Sequence, residues 1–154
     1  YTPRRTLRFV LFINEENGNR GGIKYAEIAT EELARNEHIY VAAMESDAGG
    51  FSPRGFSMDA TDSMVEIVKS WQPLFEHYNI HRFKKGWSGV DIGPLKKLER
   101  RPLLIGLVPD GQRYFDFHHS TSDVFENVHK RELELGAATM ASMIMLIDKY
   151  IPAP

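Results

Sequence analysis

The sequence contains no cysteine. Disulfides, thiolate metal sites and a cysteine nucleophile are thereby excluded, and any metal must rest on nitrogen and oxygen ligands. Basic charge is not in excess either: 19 Lys and Arg stand against 21 Asp and Glu, a formal net charge of −2. Nucleic-acid and anionic-membrane surfaces need a basic excess, so neither partner is expected. No apolar run approaches about 18 residues, the length of a membrane-spanning helix, so no membrane insertion is expected. Repeats, low-complexity tracts and an internal linker are also missing, and the 154 residues read as one domain or part of one. The start lacks the basic stretch, apolar core and small-residue cleavage site of a signal peptide. It opens on Tyr1 just before an apolar run. The expectation is a processed or excised piece of a longer protein.

What is present has the balance of a globular protein, 42% hydrophobic and 26% charged. Leu7 to Ile13 is a nearly continuous apolar run, which predicts a central strand covered on both faces. Ile23, Ala26, Ala29 and Leu33 follow at helical spacing. His38 to Met44 reads as a second strand, and the stretch with Pro53 and Gly55 as a loop. Met64 through Tyr78 carries the clearest amphipathic helix, with Ser63 and Glu66 as a capping box. Ile80 to Phe83 reads as a short strand, Gly86 to Asp91 as a glycine-rich loop, and Pro94 to Leu98 as a short helix. Leu103 to Val108 is a further strand, and Leu133 to Ile151 a long final helix. Strands alternating with helices predict an α/β three-layer sandwich with a largely parallel central sheet.

Sites on open parallel sheets form beyond the carboxyl ends of strands. Glu15-Glu16, Asp47 and His118-His119 each follow a predicted strand. Taken singly, the paired Glu is most often a solvated turn, Asp47 before Gly49-Gly50 a turn residue, and the His pair a structural pair. Their shared position favours a hydrolytic metal site for zinc, manganese or cobalt. Adjacent residues on an extended segment point to opposite sides, so Glu15 and Glu16 can serve different roles.

The stretch Arg5 to Ala26, with Asn14-Glu15-Glu16 followed by a glycine-led helix, resembles the signature of the di-zinc aminopeptidase and carboxypeptidase family, the zinc exopeptidases. Ala43 to Gly49, Gly89 to Ile92 and Tyr114 to Ser120 resemble it as well, in order and over nearly the whole chain. The resemblance implies that residues 1–154 are the C-terminal portion of a catalytic domain, lacking the family's N-terminal strands. It implies Glu15 as general base, Glu16, Asp47 and His119 as metal ligands, and two zinc ions that activate water against a peptide bond. His118 matches no ligand, Asp123 orders its loop, and Asp91 receives no chemical role. Two further ligands, a His and a metal-bridging Asp, are expected from an N-terminal segment of the same protein, so the chain alone is expected to be inactive. Short peptides are the implied substrates, and an extracellular or periplasmic location follows from the resemblance alone. Phe51, Phe56 and Trp87 are candidates for a side-chain pocket, or else padding at the loop bases. Met140, Met143 and Met145 face either the sheet or a second copy in a homo-oligomer. A glutaminyl cyclase-like acyltransferase with one zinc, a non-catalytic homologue acting as a binding domain, and an α/β domain without metal are the competing readings.

Overall fold

The structure, a computed structural model, describes residues 1–152. In chain order these form α1 (Arg20–Ala34), β1 (Ala42–Glu45), β2 (Pro53–Asp59), α2 (Asp62–Lys69), β3 (Arg82–Lys85), β4 (Leu103–Pro109), α3 (Tyr114–Phe117) and α4 (Lys130–Tyr150). Single 3₁₀ turns at Gln72–Leu74, Glu76–Tyr78, Gly93–Lys97 and Phe125–Asn127 fill the connections. The sheet runs β1-β4-β2-β3. β1 is parallel to β4 and β2 to β3, while β2 and β4 are antiparallel. Two of the three pairings are parallel, so the sheet is mostly parallel.

Period-two alternation explains how this sheet comes to be covered on both faces. Leu103, Ile105 and Leu107 of β4 join Phe56 and Met58 of β2 on one face, under Val65, Val68, Met143 and Ile147 of α2 and α4. Leu104 points the other way and meets Ala29 of α1 with Ile92, Leu95 and Leu98. Helix, sheet and helix make the three layers expected of such a pattern. Met143 is fully buried and Met140 packs against the same core, so these methionines serve the sheet, while Met145 remains 44% exposed.

Local differences from the sequence reading have physical causes. Pro53 to Asp59 is a strand, not a loop, and its Met58 and Phe56 are fully buried. Pro53 sits at its first residue, where proline is tolerated, and Gly55 accompanies a register shift against β4. The amphipathic segment from Met64 to Tyr78 breaks after Lys69, because Pro73 cannot continue an α-helix and two 3₁₀ turns take over. Its cap is Thr61, whose Oγ1 accepts from the Met64 N–H at 3.4 Å, rather than the Ser63–Glu66 box.

Leu7 to Ile13 is the larger correction. It is not a buried strand: Phe9 is 88% exposed, Leu11 96% and Ile13 69%. The opposite side is held, since Phe12 lies edge-on to Tyr25 at 5.6 Å and Arg8 bridges to Glu32 at 3.2 Å. Among the described residues no strand hydrogen-bonds to the segment. An apolar run becomes a buried strand only where a neighbour completes its ladder and a second layer covers it.

Just before that segment, the chain is pinned to the end of α4. The Asp148 carboxylate, 3% exposed, accepts the Arg4 backbone N–H at 3.0 Å and the Tyr1 hydroxyl, with Arg5 at 3.4 Å. The Arg4 N–H above all, then the Tyr1 hydroxyl and the two guanidinium groups, hold its pKa below the usual range. A lowered carboxylate pKa stabilises the fold above the unfolded value and is lost as pH falls through the native one. Thermal melts should therefore show Asp148→Asn less stable than the parent at pH 7, with the gap closing below about pH 4. In the core, Met143→Ala should cost about 2–5 kcal/mol in denaturant unfolding.

Candidate metal centre

Glu15 and Glu16 sit on a turn shaped by asparagines. Asn14 (φ 60°) and Asn19 (φ 53°) both take the left-handed conformation, which Asn enters more readily than most residues. The Glu15 carbonyl accepts from the N–H groups of Gly18 at 3.1 Å and Asn19 at 2.8 Å. Arg20 N–H then donates to Asn14 at 3.2 Å and Gly21 N–H to Ile13 at 3.1 Å, so α1 springs directly from the turn. Gly21 permits the close approach: a Cβ there would lie 2.4 Å from the Ile13 carbonyl oxygen.

Asp47 stands two residues past β1, on an exposed stretch. His118 and His119 follow α3 beyond the end of β4. The His118 ring stacks on Tyr114 at 4.6 Å and lies 4.0 Å from the His119 ring. His119 has φ 54°, an uncommon conformation for a residue with a side chain, and such residues gather at functional sites.

These loops meet in one cleft, lined by Glu15, Glu16, Asp47, Phe51, His118 and His119. His119 Nε2 lies 3.0 Å from Glu16 Oε1, across 103 positions of sequence. Asp47 is near enough to Glu16 for their charges to repel. Among the described residues, however, no three His, Asp or Glu side chains converge closely enough to hold a metal ion. Glu16 and His119 meet, with Asp47 on the same wall and Glu15 beside them, but a closed three-ligand set is not formed.

Other positions were not legible as site residues. His129, the residue just before α4, lines the same cleft, and so do Tyr114, Phe117 and Asp123. No local motif marks His129; Tyr114 and Phe117 belong to α3, within the Tyr114 to Ser120 stretch that resembles the family, and the chain from α3 to the start of α4 brings all four to the cleft. Of the three aromatic pocket candidates only Phe51 lines the cleft. Phe56 is fully buried in the core, pointing into the sheet interface, and Trp87 is 66% exposed and outside the cleft wall.

Crowded carboxylates raise one another's pKa. Burial, and then the charges of Glu16, Asp47 and Asp91, push Glu15 up, while His119 pulls it back. Lost hydration and Glu16 push Asp47 up against the opposing His118. Asp91 is raised by burial and by Asp47. Glu45 is raised by burial and by Asp47 and Asp91, although the Ile92 and Val90 amides oppose this.

The donor chemistry fits zinc, which takes carboxylate and imidazole ligands where no thiolate exists. Two ligands of one tetrahedral zinc at about 2.0–2.2 Å stand about 3.3–3.6 Å apart, so Glu16 and His119, in hydrogen-bond contact at 3.0 Å, would need to part by a few tenths of an ångström to share an ion. A raised native pKa means that ionisation costs stability at neutral pH, a cost absent below the unfolded value. In chelator, Asp47→Asn should therefore raise the melting temperature at pH 7 and leave it unchanged near pH 3. An equal or lower melting temperature at pH 7 would contradict the crowding.

No protein-family model matches the chain. Carboxypeptidase Q of Mus musculus is 28% identical over 153 residues, 97% of this chain and 31% of that protein. Carboxypeptidase Q of Bos taurus is 31% identical over 139 residues, 90% of this chain and 28% of that protein. The human carboxypeptidase Q is 30% identical over the same share of both. A crystal structure of a peptidase M28 precursor from Shewanella amazonensis SB2B superposes with a TM-score of 0.82 at 28% identity, covering 100% of this chain and 35% of that one. In sequence and in fold the chain is related to the zinc exopeptidases. Within them it is similar to carboxypeptidase Q over most of its length, and it spans roughly 30% of the length of those curated relatives.

Proposed function

We propose that this chain is the C-terminal, ligand-bearing part of a zinc-dependent exopeptidase that hydrolyses short peptides. The carrying observation is the 3.0 Å contact between Glu16 and His119 in a cleft shared with Glu15 and Asp47. Similarity to carboxypeptidase Q and to an M28 peptidase supports the same reading.

In this reading Glu16 and His119 hold one zinc and Asp47 a ligand position of a second. When bound, zinc supplies Lewis acidity, which acidifies water and polarises a carbonyl. Glu15 accepts a proton from the attacking water at its carboxylate and donates it to the leaving amine. Its raised pKa suits both halves of that transfer, since an acid that must also act as a base works best near the operating pH. Phe51, whose ring lies tilted against Phe117 with centroids 5.9 Å apart, offers an apolar wall for a substrate side chain.

The remaining ligands come from an N-terminal segment of the same protein outside this chain. The exposed row of Phe9, Leu11 and Ile13 supports this, because that side of the segment has no cover among the described residues. The aminopeptidase or dipeptidase subclass, and secretion to an extracellular or periplasmic space, belong to the same proposal.

In the full-length protein, calorimetric titration should find two zinc ions, and chelation should abolish dipeptide hydrolysis. Glu15→Gln should lower kcat by about 10²–10⁴-fold with zinc content unchanged. The 154-residue chain by itself should bind zinc weakly and leave dipeptides intact; hydrolysis by that chain would overturn the assignment of ligands to another segment. A single zinc, together with cyclisation of N-terminal glutamine peptides, would move the function to an acyltransferase.

A further inference from the structure

Glu45 is the last residue of β1 and only 8% exposed. Among the described residues it has no salt-bridge partner. Both its oxygens are used by backbone instead: Val90 N–H donates to Oε1 at 2.9 Å and Ile92 N–H to Oε2 at 2.9 Å. Gly89, the residue before Val90, has φ 140°, and a Cβ there would fall 2.1–2.4 Å from the Glu45 carboxylate atoms. Only a glycine lets the loop close over the buried carboxylate.

The other side of the same loop is tied to a different part of the chain. Asn19 Nδ2 donates to the Val90 carbonyl at 2.6 Å. Asn19 begins α1, four residues after Glu15, whose carbonyl its own N–H also caps. Glu45 is two residues before Asp47. Residues 88–92 are therefore hydrogen-bonded at once to the segment carrying Glu15-Glu16 and to the segment carrying Asp47.

This connection is expensive. A buried carboxylate without a counter-charge is costly, and an apolar side chain at the same place would be cheaper to bury. The loop also leaves Ser88 Oγ, Asp91 Oδ1 and Asn19 Oδ1 buried without hydrogen-bond partners. Unsatisfied groups concentrated at one place mark a strained feature retained for something other than stability.

We propose that Glu45 is a positioning residue: its carboxylate, gripped by the Val90 and Ile92 amides, makes residues 88–92 a brace that sets the spacing between Asp47 and the Glu15-Glu16 turn. The proposal rests on the metallopeptidase reading of those three residues. Glu45 never meets metal or substrate; it acts through Asp47 on one side and through Asn19 on the other.

The test uses the full-length protein with wild-type sequence, Glu45→Gln, Glu45→Ala and Asn19→Ala. Zinc affinity, kcat, KM, melting temperature and amide hydrogen exchange at Val90 and Ile92 are read for each. Gln keeps one acceptor and turns an N–H toward the other amide, so Glu45→Gln should speed exchange at Val90 and Ile92 by at least about tenfold. Zinc affinity should fall by about 10–100-fold, the usual loss when an outer partner of a metal ligand is removed. The kcat should fall with KM unchanged, Glu45→Ala should do more, and Asn19→Ala should act in the same direction. If Glu45→Ala does not fold, Glu45→Gln and Asn19→Ala decide. A lowered melting temperature with zinc affinity and kcat intact overturns the brace, because Glu45 would then be merely structural. Wild-type protein that binds zinc without hydrolysing peptides defeats the peptidase reading alone, and the zinc and exchange comparisons still decide the brace. Wild-type protein that binds no zinc overturns both.

Discussion

Like charges crowded beyond one end of the sheet set the terms for the rest of the molecule. Glu15, Glu16, Asp47 and Asp91 repel one another, and Glu45 is buried behind them. Left free, such side chains would spread into water. They stay together because each is fixed by backbone that has little choice: left-handed Asn14 and Asn19 around the Glu pair, the end of β1 before Asp47, and a left-handed His119 opposite Glu16. The arrangement is unfavourable for the chain by itself; in the metallopeptidase reading proposed above, cations would convert that repulsion into ligation.

Rigidity behind the cleft comes from the sheet. β4 lies between β1 and β2 and is buried on both faces, so it cannot shift without disturbing two cores. Asp47 follows the end of β1, and the His118-His119 pair follows α3 beyond the end of β4, the strand parallel to β1. Glu15-Glu16 has no such anchor, since Leu7 to Ile13 is paired with no strand among the described residues. Its position depends on α1, on Asn19 and on residues 88–92.

Much of this was open to reading from residues alone. Strong periodicity located α1, β4 and α4, because burial of one helix stripe or of both strand faces leaves a pattern that short-range rules recognise. Pro53 and Gly55 hid β2, since both are turn residues by local preference and only a bulged strand start accommodates them. Leu7 to Ile13 misled in the opposite direction: its composition suits a central strand, but composition does not provide a neighbour. The candidate ligands were legible because they follow apolar runs. His129 was not, and nothing in the sequence marked the backbone grip on Glu45.

Residue content and order set which chemistry is possible here: nitrogen and oxygen donors without thiolates, acidic pairs after apolar runs, and helices with one apolar stripe. Tertiary structure alone decided who meets whom. Glu16 touches His119 across 103 positions, and Glu45 reaches amides 45 and 47 residues away. Such contacts follow from strand order and loop closure, which depend on the free energy of the whole packed sheet and leave no trace in any short window of residues.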